Sequence, residues 1–582
     1  MAYESKIDAE LELALKYYQT SIGTAFTANT GVSLEGDWEI IVKYHGDILI
    51  PVQTVGAKVE ILNESFASIV IKPSKVEEFA SFFQIEYLEF PRRMFYILRE
   101  SYGKACITNM YNPLLYNLRG RGVLLGIIDS GIDYINPDFR NEDGSTRIAY
   151  LWDQTIDGRP PIGFDLGTEY TKEQINEALM QPTIEETLAL VPSIDEVGHG
   201  TAVSGVAGGN GRGSEGREVG VAPGAEFIVV KVGMESEDSF PRTLEVMRAI
   251  KYVIEKATEL DRPIAVNIGF GMVQGGHDGR TLLEIFIDQM AARWKSIIIV
   301  GTGNQGNQAT HTQGILRQDE EKEIQFVINS NQEFYAFNLW KSFIDTFEIK
   351  ITAPTGEATD RVTIFSNNTL YSVGKTNVFI NFSEPSNINP DQQILVYMES
   401  QDGSIDAGIW TLTIYGVSIV DGRYNIWGAT KEVTGDQTIF LQPSSDITLT
   451  IPSTGNAIIS VAAFNPFSNQ ITASSGRGFT RDGRVKPGLA APGAQVITTD
   501  NQGGYSPATG TSIASAFVTG GAALLMEWGI TNGNAPFLYG DILRTALLRN
   551  TRRLVTDMVY PNPMWGYGAF CLEDTLISLI NK

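Results

Sequence analysis

The apolar residues that follow residue 120 alternate between short unbroken runs and a longer amphipathic segment. Val123 to Ile128, Ile264 to Ile268 and Ser296 to Val300 are almost continuously apolar, as expected for parallel strands buried on both faces. Thr243 to Leu260 has helical periodicity, and the run Val221 to Val232 contains another strand. This alternation of strands and helix predicts an α/β domain built on a parallel sheet with flanking helices.

From about Thr312 to Ile451 the pattern changes to short strand-like segments, separated by turn residues at fairly regular spacing. It predicts an inserted all-β domain, a sandwich or jelly roll, which we expect to add stability rather than chemistry. The strands expected here are Glu323 to Ile328, Glu333 to Trp340, Phe347 to Thr352, Arg361 to Phe365, Asn377 to Phe382, Ile394 to Tyr397, Ile409 to Tyr415, Tyr424 to Trp427 and Thr438 to Leu441.

The first hundred residues predict a separate, small α+β unit. Ile7 to Tyr18 has a helical apolar stripe, and Pro73 to Phe79 predicts a short helix with Ser74 as its cap and Glu77 completing a capping box. Strands are expected at Trp38 to Tyr44, Val59 to Leu62, Ala67 to Ile71 and Ile85 to Phe90. The expected domains are therefore residues 1–100, residues 101–311 with 452–582, and the insert 312–451.

Composition narrows the function classes. The chain has 582 residues with a formal net charge of −24, which disfavours binding to nucleic acid or to anionic membranes. No apolar run was expected to reach membrane-spanning length, and the first residues do not look like a secretory signal. Cys106 and Cys571 are too few for a disulfide framework or a zinc site, and a single bridge between them stays open. We expect no metal and no cofactor.

Three polar residues stand where an α/β sheet places catalytic groups. Asp129 follows the strand Val123 to Ile128, His199 begins a small-residue helix, and Ser512 stands where Thr509-Gly510-Thr511 runs into an apolar helix. Each has a plain structural alternative: a turn aspartate, a helix-start histidine, a helix cap. Together, in the order Asp, His, Ser, they predict a catalytic triad with Ser512 as nucleophile, His199 as base and Asp129 as its orienting partner.

Two further stretches fit a peptide-cleaving site. Asn304 follows the strand Ser296 to Val300 in a Gly-rich loop, where it predicts the side-chain donor of an oxyanion hole; an ordinary turn asparagine is the alternative. Asn267, Gly269, Phe270 and Gly271 predict a substrate-binding edge to which a peptide adds as a strand. The alternative there is a strand end with a glycine turn.

These motifs closely resemble the subtilisin-like serine proteases, which implies the triad and oxyanion roles just given. The small N-terminal unit resembles the propeptide of that family; an unrelated N-terminal domain is the alternative. Ile128-Asp129-Ser130-Gly131-Ile132-Asp133-Tyr134, Leu151-Trp152-Asp153-Gln154 and Gly510-Thr511-Ser512-Ile513-Ala514-Ser515, together with the β insert and the lack of an export signal, resemble the Csp germination proteases of clostridial spores. Ala516, Phe517 and Gly488 depart from the wider family, at positions that affect packing rather than catalytic atoms.

The resemblance implies limited proteolysis of a protein substrate, a cortex-lytic enzyme zymogen. The lack of a recognisable secretory signal in the first residues predicts a location in the cytoplasm or the spore. The resemblance also implies a propeptide that stays bound after one self-cleavage, which we expect between about Phe90 and Cys106. Some Csp proteins have lost the triad, so a non-catalytic germinant-sensing protein on the same fold is the alternative.

Overall fold

The computed structural model describes residues 6–7, 11, 15, 37–61, 65–89, 103–232, 241–366, 369–435 and 437–581. The chain forms two compact units, Met1–Tyr96 and Ile97–Lys582. Most of the predicted helix over residues 7–18, and the predicted cleavage region up to residue 102, lie outside the described residues.

The N-terminal unit is an antiparallel four-stranded sheet of order β2-β3-β1-β4 with two short helices. Its elements are β1 (Trp38–Tyr44), α1 (Leu49–Val55), β2 (Lys58–Ile61), β3 (Phe66–Ile71), α2 (Val76–Ala80) and β4 (Ile85–Glu89). All four predicted strands are present, and α1 was not predicted. The predicted capping box is wrong: Pro73–Lys75 forms a 3-10 turn, so that α2 begins only at Val76 and has no side-chain cap.

The second unit contains a nine-stranded sheet of order β22-β21-β10-β9-β5-β8-β6-β7, with β23 paired to β21. Its strands before the insert are β5 (Leu124–Asp129), β6 (Ile148–Asp153), β7 (Thr168–Thr171), β8 (Glu226–Lys231), β9 (Ile264–Ile268) and β10 (Ser296–Gly301). After the insert come β21 (Ile459–Asn465), β22 (Gln470–Ile471), β23 (Leu489–Pro492) and the hairpin β24 (Val496–Thr499) and β25 (Tyr505–Ala508). Pairing is parallel except at the outer strands β7 and β22, so the predicted parallel sheet is confirmed.

Helices cover both faces of this sheet. They are α3 (Lys172–Leu179), α4 (Ile184–Leu190), α5 (His199–Gly208), α6 (Thr243–Glu259), α7 (Leu282–Ala291), α9 (Thr511–Met526), α10 (Gly540–Arg549) and α11 (Leu572–Ile580). Alternate residues of β5 serve the two faces: Leu125 and Ile127 pack with α5 and α9, whereas Leu124 and Ile128 pack with α6 and α7. A strand buried on both faces in this way explains the unbroken apolar run.

The insert forms two antiparallel sheets that share a hydrophobic core of their own. The six-stranded sheet has the order β11-β19-β13-β17-β16-β15, and the four-stranded sheet has the order β14-β18-β12-β20. The elements are β11 (His311–Ile315), β12 (Glu321–Ile328), β13 (Phe334–Lys341), β14 (Thr346–Thr352), β15 (Thr369–Val373), β16 (Thr376–Phe382), β17 (Gln392–Ser400), β18 (Gly408–Ser418), β19 (Arg423–Gly428), α8 (Lys431–Thr434) and β20 (Ile439–Phe440).

The predicted all-β character of the insert holds, while jelly-roll connectivity and the domain boundaries stay predictions. The predicted strand Arg361 to Phe365 is wrong: only Val362 bridges Ile349, and Ile364–Ser366 is a 3-10 turn. Entry and exit of the insert are adjacent, since the Ser444 N–H donates to the His311 carbonyl oxygen at 2.8 Å.

Cys106 and Cys571 form a disulfide, which settles the alternative that the sequence left open. The bond ties the chain just before the first core strand to the residue preceding α11, and both cysteines are buried.

The segment Thr511–Thr531 is apolar and long enough to cross a membrane, with a mean hydropathy of 1.4. The expectation that no run reaches this length was therefore wrong. Since 89% of the apolar window is buried inside the protein, the segment is a core helix of the sheet domain.

Candidate active site

Asp129 and His199 meet at the carboxyl edge of the parallel sheet. Asp129 is the last residue of β5 and is 1% exposed, whereas the imidazole of His199, at the first position of α5, is 38% exposed. The His199 Nδ1 lies 2.7 Å from the Asp129 Oδ1, and the Ser130 N–H donates to that same oxygen at 2.7 Å. The Asp129 carboxylate thus fixes the orientation of the His199 imidazole and leaves its Nε2 available to accept a proton.

The electrostatics of this pair favour a protonatable imidazole. The negative charge of Asp129 raises the pKa of His199 to about 8, against the opposing effect of burial, and Asp195 contributes in the same direction. A base with a pKa near the working pH can both accept a proton and return it.

Gly269 allows the close packing around Asp129. A Cβ atom at residue 269 would lie 1.9 Å from the Asp129 Oδ2, so only glycine fits here without displacing the carboxylate. The packing against Asp129 therefore requires glycine at position 269, in addition to the role predicted for Gly269 in the substrate edge.

Ser512 is the second residue of α9, where the backbone N–H groups at the helix start lack partners within the helix. The helix is fixed by its deep burial and by Gly520, at which a Cβ would lie 2.5 Å from the carbonyl oxygen of Ala207 in α5. Among the residues that the structure describes, Ser512 Oγ has no hydrogen-bond partner. Contacts between nucleophile and base commonly tighten only in the substrate complex.

Asn304 lies in the loop after β10, exposed and next to the start of α9. Its Oδ1 accepts from the Thr511 N–H at 3.3 Å and from Thr511 Oγ1 at 3.4 Å. The Thr511 hydroxyl also accepts from the Gly303 N–H at 3.1 Å. With its oxygen held in this way, the Asn304 amide N–H₂ remains available as a donor beside Ser512, as an oxyanion hole requires.

The predicted substrate edge is corrected at one residue. Gly269, Phe270 and Gly271 follow β9 and line a cavity, but Asn267 lies inside β9 and is 0% exposed. Its Nδ2 donates to Ser515 Oγ at 2.9 Å and to Thr519 Oγ1 at 3.0 Å. Asn267 therefore ties the sheet to α9 and is buried away from any substrate.

Asp195 is a positioning residue that the sequence reasoning missed. Its carboxylate accepts from the Gly198 N–H at 2.9 Å, the Thr201 N–H at 2.8 Å and Ser130 Oγ at 2.8 Å. It thereby fixes the start of α5, which carries His199, to the residue after Asp129. An acidic residue shortly before a helix start was the available sequence signal.

The arrangement can therefore perform acyl transfer. In a triad of this kind the serine attacks a carbonyl carbon while the histidine takes the hydroxyl proton and later gives it to the leaving amine. No group of three or more acidic, Cys or His residues that could hold a metal occurs in the part of the chain that the structure describes.

Comparison with known proteins agrees with this chemistry. A model of the subtilase family matches residues 120–377 and 432–568, and a model of the Csp protease B prodomain matches residues 5–92. The solved CspB protease of Clostridium perfringens is 32% identical, with a TM-score of 0.77, and the match covers 83% of this chain and 99% of that one.

Curated relatives are more distant. The PII-type proteinase of Lactococcus lactis subsp. cremoris is 23% identical over 517 residues, and that of Lacticaseibacillus paracasei is 24% identical over 518 residues. Each match covers 77% of this chain, which spans about a quarter of the length of these relatives. Since the subtilase model alone matches more than half of the chain, this protein belongs to the subtilase family of serine proteases, and its N-terminal region is a CspB-type prodomain.

Proposed function

We propose that this protein is a serine endopeptidase that performs limited proteolysis, with Ser512 as nucleophile, His199 as general base and Asn304 in the oxyanion hole. The observation that carries the proposal is the 2.7 Å contact between His199 Nδ1 and the buried Asp129 Oδ1, at the same sheet edge as the start of α9. In a catalytic triad, the carboxylate holds the histidine in the tautomer that can accept the proton of the serine hydroxyl.

The first substrate is proposed to be the chain itself. One cut between about Phe90 and Cys106 would separate the prodomain, and the region around Arg99 to Lys104 is the best candidate for the bond. A tethered segment has an effective concentration on the order of millimolar, so it reaches the site before any outside substrate. The released prodomain would then remain as an inhibitor until it is displaced.

The outside substrate is proposed to be a cortex-lytic enzyme zymogen that is activated during spore germination, and the place of action is proposed to be the spore. The likeness of both prodomain and protease to CspB supports this assignment. Incubating the purified chain with such a zymogen and mapping new N-termini tests it. A single new N-terminus on the zymogen is expected; random degradation or no cut would contradict it.

The catalytic proposal is tested with a fluorophosphonate serine-hydrolase probe and a denaturing gel. The parent should label at Ser512 and run as two fragments, roughly a sixth and five-sixths of the chain by the proposed boundary. Ser512→Ala should neither label nor split, while its thermal unfolding stays close to that of the parent. A parent that labels but stays whole refutes self-cleavage and leaves the nucleophile assignment intact.

The second candidate is a non-catalytic germinant-sensing or regulatory protein on the same fold. The observation that favours it is the lack of a hydrogen bond between Ser512 Oγ and His199, both described residues. The same probe decides between the two, because a folded parent that does not label is a scaffold rather than an enzyme.

A further inference from the structure

A cavity of about 640 Å³ opens at the amino edge of the parallel sheet, opposite the edge that carries Asp129. Residues that come just before core strands line it: Gly122 before β5, Arg147 before β6, Gly224 before β8 and Arg262 before β9. The six residues of β5 separate this edge from Asp129 by roughly 20 Å. A small ligand here therefore reaches neither the triad nor the substrate edge, and the cavity is a separate candidate site.

Five arginines give this cavity its positive charge: Arg119, Arg121, Arg147, Arg212 and Arg262. They come from four separate stretches of the chain, so the fold assembles them and no single sequence motif announces them. The formal net charge of the chain is −24, which makes a cavity rich in arginine an exception on this protein.

Three glutamates also line the cavity, but they offset this charge only in part. Glu226 pairs with Arg262 and, at 2.7 Å, with Lys172, so its own charge is already balanced. Glu142 and Glu215 are exposed, where solvent and salt screen their charges. The cavity thus retains net positive charge, and its concave walls focus that field on an anion.

Two of the arginines retain donors for a ligand. Among the residues that the structure describes, the Arg119 guanidinium has no hydrogen-bond or ion-pair partner and lies 5.8 Å from the ring centroid of Tyr111. Arg147 is 3% exposed, and burial lowers its pKa to about 10, so it stays charged at neutral pH. Its guanidinium, which has five N–H donors, makes four hydrogen bonds, all to the backbone carbonyls of Asp138, Gly208 and Ala225.

The chemistry of the lining favours phosphate. A guanidinium group binds a phosphate through paired N–H···O bonds, and arginines on separate segments suit a ligand with more than one charged group. A volume of about 640 Å³ lies in the ordinary range of small-molecule sites. The net charge of the chain disfavours a long nucleic acid, whereas a small ligand meets only the local field of the cavity.

We propose that this cavity binds a small molecule that carries two or more linked phosphate groups, with Arg119, Arg147 and Arg212 as its main contacts. The ligand sits on the opposite edge of the sheet from the triad and is not a substrate of the protease. The proposal is independent of the proposed protease function.

Isothermal titration calorimetry of the full chain with inorganic pyrophosphate, at fixed ionic strength, tests the proposal. We expect saturable binding of one pyrophosphate per chain. Arg119→Gln breaks no hydrogen bond or ion pair within the described residues, so its thermal unfolding without ligand should match that of the parent. Its affinity for pyrophosphate should fall about 10–100-fold, because a charged donor is lost. The control is Arg293→Gln, an exposed arginine after α7 that does not line the cavity and should bind as the parent does.

A second titration with ADP distinguishes two sources of the phosphates. Tighter binding of ADP than of pyrophosphate, weakened in Arg119→Gln, supports a nucleotide; equal or weaker binding supports a free polyphosphate. No saturable binding of either compound, or the same affinity in Arg119→Gln as in the parent, overturns the proposal. Equal affinity for citrate overturns the assignment to phosphate. Labelling of Ser512 by the fluorophosphonate probe is measured separately, so failure here leaves the protease proposal standing.

Discussion

The parallel sheet of the subtilase core and the antiparallel sheets of the insert bury their strands in different ways. Every residue of β5 is buried, whereas β16 alternates between buried residues, such as Val378 and Ile380, and half-buried ones. A core strand therefore has no face left for function, and its chemistry is confined to its end. Asp129, Gly269 and Asn304 follow or end the neighbouring strands β5, β9 and β10.

The insert has no comparable set of polar residues at one sheet edge among its described residues. Its end, residues 447–452, pairs with the core beside the predicted substrate edge through the backbone hydrogen bonds between Met272 and Ile451. The comparison therefore places the candidate chemistry at the ends of buried core strands. The predictions below test residues of the core and of its junction with the insert, beginning with the largest effect.

Asp129→Asn should reduce kcat by about 10⁴-fold, because an amide cannot hold His199 in the productive tautomer or stabilise its charged form. In the parent, His199 must be neutral to accept a proton, so kcat/KM should rise with pH and level off above the pKa of about 8. Loss of the Asp129 charge should lower the pKa of His199, so the rise in kcat/KM should occur at lower pH. The pH profile of peptide cleavage measures both effects; the exposed carboxylate variant Asp143→Asn should behave as the parent.

Asn304→Ala should reduce kcat by about 10²–10³-fold, equivalent to roughly 3–4 kcal/mol, with a much smaller change in KM. The reason is that its amide N–H₂ stabilises charge that develops only in the transition state. Steady-state kinetics measure the effect, and Asn331→Ala, at an exposed turn of the insert, is the control. A loss smaller than about 10-fold would remove Asn304 from the oxyanion hole.

Asn267→Ala should lower the free energy of unfolding by about 1–3 kcal/mol and leave KM unchanged. The substitution removes the donor to Ser515 and Thr519 inside the core, where no substrate reaches. Chemical denaturation and steady-state kinetics report the two quantities separately. A large rise in KM with normal stability would restore Asn267 to the substrate edge.

Much of this organisation is predictable from sequence because each core strand is marked by an apolar run within its own segment. The runs that became β5, β9 and β10 were located within a residue or two, and the small-residue segments after Gly198 and Gly510 gave the starts of α5 and α9. Asp129, His199, Ser512 and Asn304 were identifiable because strand ends and helix starts are where such chemistry is placed.

The features that the sequence did not predict depend on contacts between residues that are far apart in the chain. The substrate role assigned to Asn267 failed because its partners are about 250 positions away, in a helix whose packing the local pattern does not specify. The pairing of Met272 with Ile451 beside the substrate edge likewise has no local signature. Arg361 to Phe365 resembled a strand by composition, but only Val362 found a partner.

The smallest effect concerns the junction between core and insert, where His311 and His277 stack on Trp427 at ring-centroid distances of 4.9 and 4.0 Å. Burial, assisted by His277, lowers the pKa of His311 to about 4. The unfolded chain takes up a proton below about pH 6.5 while the folded chain does not. The stabilisation from neutral His311 is therefore fully present above pH 6.5 and is lost as the pH falls toward 4.

His311→Phe keeps a ring on Trp427 but cannot titrate. Between pH 7 and 5.5 its free energy of unfolding should therefore fall by about 1 kcal/mol less than that of the parent. Urea unfolding at the two pH values measures this difference, with the exposed His45→Gln as control. Equal losses in parent and variant would show that His311 does not couple the junction to acid.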